Sequence, residues 1–107
     1  MSSETIDTLT LNIYDLGKTI QSLTRRAELE YSAEVDALIQ TNCRDSVSIE
    51  QLLDGILDFC FDADMVLLYK KLCRYYFNID PVATVSYINF YREMWDSDNR
   101  EINAVFL

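Results

Sequence analysis

An all-α fold, a compact bundle of four to five helices in a single domain, is what this sequence predicts. Three observations carry the expectation. Apolar residues recur at steps of three and four along most of the chain, the spacing that lines one face of a helix. Only two Gly and one Pro occur in 107 residues, too few for the turns of several β-hairpins. Half of the residues are hydrophobic, enough for one core and one domain (1–107) at this length.

The first element is the stripe from Ile6 to Ala27: Ile6, Leu9, Ile13, Leu16, Ile20, Leu23 and Ala27. Read as heptads, the early a positions are Ile and the d positions Leu, the choice favoured in parallel two-stranded coiled coils. Thr8 to Ile13 also alternate with period two, but the seven-position pattern outlasts that strand signal. The flanking e and g positions hold Thr10, Asn12, Gly17, Thr19, Thr24 and Arg26, almost uncharged, and the heptad fails at Glu30. Neutral flanks suit an interface with more than one helix. The stripe is therefore expected to pack on helices of its own chain, with a homodimer through Ile6 to Ala27 the weaker expectation.

Beyond Ala27 the apolar face shifts to Tyr31, Val35, Leu38 and Ile39. Either one helix runs to about Gln40, or it breaks near Tyr31 and restarts with Ser32 as cap; the length of an unbroken helix favours the break. A polar connector, Thr41 to Val47, follows. Ser48 and Gln51 then form a capping box for a helix that buries Ile49, Leu52, Leu53, Ile56, Leu57 and Cys60 and turns Glu50, Asp54, Gly55 and Asp58 to water. Asp62 caps the next helix, whose inner face is Met65, Leu68, Tyr69, Leu72, Cys73 and Tyr76. Asp80 and Pro81 stop that helix and open the last, with Asp80 as cap and Pro81 at the first helical position. This final helix, to about Trp95, is crowded with Tyr87, Ile88, Phe90, Tyr91, Met94 and Trp95. Residues 97–107 are expected to be a flexible or docking tail.

Eighteen acidic against nine basic residues give a net charge of -9. Such a field repels phosphate backbones and suits a basic protein partner. Three Cys, no Cys-x-x-Cys pair and no His point to reduced thiols in a cytoplasmic protein, without a metal or other cofactor. The opening residues lack the basic and apolar regions of a secretory leader, and no apolar run approaches the roughly 20 residues of a membrane-spanning helix.

Catalytic signatures are sparse: no His can serve as base, and two glycines cannot build a phosphate loop. Asp62 and Asp64 resemble the opening of a calcium loop that lacks its Gly and closing Glu. Tyr69, Lys70, Lys71, Arg74, Tyr75 and Tyr76 interleave aromatics with cations, a pattern for holding nucleic acid that opposes the field of the whole chain. The remaining pattern is a binding face. Glu50, Asp54 and Asp58 recur at about 6 Å per four-residue step, with Tyr87, Tyr91 and Trp95 as candidate aromatic anchors where exposed. The expected function is thus a non-enzymatic protein–protein interaction module, a regulator, adaptor or inhibitor. An acidic nucleic-acid mimic directed at a host nuclease is the alternative, and a carboxylate-dependent enzyme the more distant one.

Overall fold

A computed structural model describes the backbone of residues 2–96 and the side chains of residues 12–96; the expected tail, 97–107, lies outside the described residues. Four helices follow in order: α1 Ser2–Gln40, α2 Ser46–Leu57, α3 Ala63–Phe77 and α4 Pro81–Trp95. The all-α bundle is as the sequence predicts. Short connectors make successive helices antiparallel, so α1 and α3 run one way and α2 and α4 the other. The layers are α1, then α2 beside α3, then α4, with α3 packed against all three other helices.

The break expected near Tyr31 does not occur: α1 is one helix of 39 residues. No Gly or Pro stands between Lys18 and Gln40, and Ser32 is simply accommodated within the helix. The apolar face continues without interruption, because Thr24, Val35 and Leu38 are all buried on the bundle side. Termination comes instead at Asn42, which takes φ 53°. Cys43 N–H reaches Leu38 C=O at 3.0 Å and Asn42 N–H reaches Ile39 C=O at 3.1 Å, the paired bonds of a left-handed helix end.

Helix α2 starts earlier than the Ser48 cap predicts. Asp45 is the cap, accepting from Val47 N–H at 3.2 Å and from the Ser48 hydroxyl at 2.8 Å. A carboxylate satisfies the exposed amide and Ser48 together, so Ser48 becomes a residue of the first turn. The other two caps are as expected: Asp62 accepts from Met65 N–H at 3.2 Å, and Asp80 from Ala83 N–H at 3.0 Å with Pro81 opening α4.

The core lies between α2 and α3 and is closed by the C-terminal half of α1 on one side and α4 on the other. The six inner residues of α3 are those that the sequence predicts. Most of the α2 stripe is buried too, with Leu52 half-buried. The N-terminal half of α1 behaves differently. Every described residue from 12 to 23 is exposed, and the 61 Å long dimension is close to the length of a 39-residue helix at about 1.5 Å per residue.

Candidate interaction surface

Because α2 and α4 run in the same direction, the six residues singled out in the sequence lie along one seam. Glu50 is level with Tyr87, and Leu57, next to Asp58, is level with Trp95. The structure gives them separate roles. Tyr87 and Tyr91 are buried, so they do not serve as exposed anchors. Tyr69 donates to the Tyr87 carbonyl at 2.6 Å, and the Tyr69 and Tyr91 rings stack at 5.9 Å. Packing two tyrosines against α3 is what attaches α4 to the bundle.

Glu50 is also engaged internally. One carboxylate oxygen accepts from Tyr76, whose ring is fully buried, and the other from the Tyr87 hydroxyl at 3.4 Å. Burial, and then the carboxylates of Asp54 and Glu50, push the Tyr87 hydroxyl above its ordinary range. Those oxygens hold helices together; Asp54 and Asp58 are the exposed members of the acidic row, with Asp54 also beside the Tyr87 hydroxyl. Trp95 is 38 % exposed; its indole N–H donates to Leu57 C=O at 2.8 Å, and its ring meets Phe61 at 6.0 Å. From there an aromatic chain continues through Phe59 to Tyr31 of α1, each step 6.3 Å. One end of the bundle is therefore aromatic and acidic.

A further apolar exposure is on α1, where the sequence predicts burial against the chain's own helices, while Val82, Val85, Phe90 and Met94 are exposed on α4. Ile13 is 70 % exposed, Leu16 60 %, Ile20 45 % and Leu23 53 %. The expectation fails because α2 and α3 are too short: at 12 and 15 residues they cover only the C-terminal half of a 39-residue helix. Where the cover ends, Ile20, Gln21 and Thr24 share an open groove with Phe61 and Asp62.

Two other sequence patterns resolve into structure. Glu28 joins Asp62 and Asp64 in a carboxylate group within 4.8 Å, but Arg25 sits in it, paired with Glu28 and with Asp64 at 3.1 Å. Hydrogen bonding to Asp64 and the charge of Glu28 raise the Arg25 pKa. Of the aromatic and basic run on α3, Tyr69 and Tyr76 face the core, Tyr75 donates to Cys43 C=O at 2.6 Å, and Lys71 pairs with Asp36 at 2.6 Å. The three tyrosine rings of this run are thus engaged in packing and hydrogen bonding within the bundle.

No protein-family model matches the chain, and no curated protein or solved structure matches it either. None of the helices, among the described residues, is long and apolar enough to cross a membrane.

Proposed function

We propose that this chain is a non-enzymatic protein–protein interaction module in which the bundle holds the N-terminal half of α1 out as a rigid docking helix. The observation that carries this reading is the exposed face of Ile13, Leu16, Ile20 and Leu23. Four large apolar side chains in one contiguous strip, beside exposed Phe61 and Trp95, form the kind of patch that marks an interaction site. Asp54 and Asp58, exposed on the same body, would steer a basic partner and raise its association rate.

Support for a non-enzymatic role comes from the thiols and the grooves. Burial pushes Cys60 and Cys73 up to about 12, so both stay protonated and poorly nucleophilic at neutral pH. Three depressions among the described residues, lined by Lys18 and Phe61, by Ser32 and Leu67, and by Tyr31 and Leu52, are open grooves, unlike the enclosed sites of most small-molecule chemistry. Three unpaired thiols suit a reducing, cytoplasmic setting. Nucleic-acid mimicry draws less support, since the Glu50 carboxylate is held by two tyrosines and the acidic row is shortened.

The test is to retrieve the partner from the native cell, purify it and re-form the complex. Leu16→Asp and Ile20→Asp are expected to weaken the complex at least tenfold while leaving the unfolding midpoint of the bundle unchanged. A complex indifferent to both substitutions would overturn the reading.

A further inference from the structure

We infer that the occupant of the exposed α1 face is a second copy of this chain, with the two α1 helices antiparallel. This rests on the reading of that face as an interaction site, and it adds the partner and the orientation. At about 100° per residue, the mean direction of Ile13, Leu16, Ile20 and Leu23 lies within about 20° of that of Tyr31, Glu34 and Leu38. Those three residues face α2: Tyr31 lies over Gly55, and Glu34 and Leu38 line a groove with Ser48, Gln51 and Leu52. The exposed strip is thus the continuation of the α2-facing side, beyond the point where α2 ends.

That geometry settles the orientation against the heptad rule. A parallel partner would lie on the strip and then run straight on, because α1 is unbroken to Gln40. From about Thr24 it would collide with the 58–62 connector and with α2 itself, and its own bundle would occupy the same space. An antiparallel partner reaches that level only with its first turn, because its residues 2–5 fall opposite 24–27 and the rest of its helix runs away from the bundle. Its helix begins where α2 stops and extends the line of α2 toward the N-terminus of the first α1. The positive end of the incoming helix then faces the negative end of α2 and the carboxylate of Asp58. Each bundle sits beyond the other chain's N-terminus.

The sequence is self-complementary in this direction. Placing Ile13 opposite Leu16 of the partner sets Leu16 opposite its Ile13 by the twofold, and in sequence the positions level with Ile20 and Leu23 are 9 and 6, a Leu and an Ile. The twofold axis falls between Tyr14 and Asp15. The neutral flanks, Thr10, Asn12, Gly17 and Thr19 among them, bring no like charges together across the seam.

Light scattering on the full chain, with spin labels for orientation, tests the inference. Twice the chain mass is expected at micromolar concentration, falling to the single-chain mass in Leu16→Asp with the bundle still folded. In a Cys43→Ser background, nitroxides on Ser22→Cys, a position that points away from the seam, should lie about 30 Å apart, since fifteen residues of axial offset at about 1.5 Å each add to the lateral separation of two helices whose axes are about 10 Å apart. A monomeric wild type, a dimer that survives Leu16→Asp, or labels only about 20 Å apart, as parallel helices in register would place them, would each overturn it. If the wild type is monomeric yet Leu16→Asp still abolishes binding to a purified heterologous partner, the docking helix stands and only the second copy is lost.

Discussion

The ring of Tyr31 on α1 lies directly over Gly55 on α2: a Cβ added at Gly55 would come within 2.8 Å of Tyr31 Cζ. The same ring meets Phe59 at 6.3 Å, so Gly55 is the position that lets α1 settle onto α2 and its connector. By sequence Gly55 faces water. In the structure it is half-buried beneath an aromatic ring.

Gly55→Ala and Gly17→Ala should therefore have opposite outcomes. Both replace a glycine inside a helix, and each gains about 1 kcal/mol of helix propensity. At Gly55 the methyl group must displace Tyr31 and disturb its contact with Phe59, an overpacking cost of about 1–3 kcal/mol. Net destabilisation is expected, measured by urea unfolding, with recovery when Tyr31 is also replaced by Ala. Nothing lies within 4 Å of a Cβ at Gly17, so there the gain is unopposed. It should appear as slower amide exchange around residues 12–23, with little change in the global midpoint, because that half of α1 does not contact the core.

Most of the bundle was legible because its elements announce themselves locally. The α3 inner face follows one uninterrupted 3.6-residue period, and Asp62, Asp80 and Pro81 act within a few residues of their own position. What was not legible depends on lengths in space. Whether Ile13, Leu16, Ile20 and Leu23 are covered is decided by where α2 ends at Leu57, more than thirty residues away in sequence. The same holds at the seam. Glu50 reads as a solvated acid on α2, and only the tertiary approach of Tyr76 and Tyr87 makes it an internal acceptor. Tyr87 and Tyr91 share their helix with exposed Phe90 and Met94, and composition alone cannot say which side of so apolar a helix faces inward.

Buried thiols and phenols give the stability a definite alkaline dependence. Cys60 and Cys73 are raised by burial from 9.0 to about 12, while in the unfolded chain they ionise near the ordinary value. Below about pH 8 both states hold these protons and the groups contribute no slope. Between pH 9 and 12 the folded state binds more protons than the unfolded one, so stability falls as pH rises, by up to about 1.4 kcal/mol per pH unit per thiol. Tyr69, Tyr76, Tyr87 and Tyr91 are raised as well, chiefly by burial, and steepen the loss above pH 10. Urea midpoints at pH 8, 9.5 and 10.5 should decline progressively; a flat profile would contradict the burial of these groups.

Glu50 offers the sharpest separation of structure from binding. Its two oxygens receive the hydroxyls of Tyr76 and Tyr87, linking the start of α2 to the end of α3 and the middle of α4. Glu50→Ala leaves the Tyr76 hydroxyl, on a fully buried ring, without that acceptor, a loss of about 1–3 kcal/mol. Glu50→Gln keeps an acceptor of similar reach and should cost less. In a Tyr76→Phe background the hydroxyl is already gone, so Glu50→Ala should be less damaging there than in the wild type, a coupling that a double-mutant cycle reads directly. Were Glu50 instead a free contact for a basic partner, Glu50→Ala would leave the unfolding midpoint unchanged and show no coupling to Tyr76. The cycle thus decides whether this carboxylate joins Asp54 and Asp58 on the surface or belongs to the frame that holds α2, α3 and α4 together.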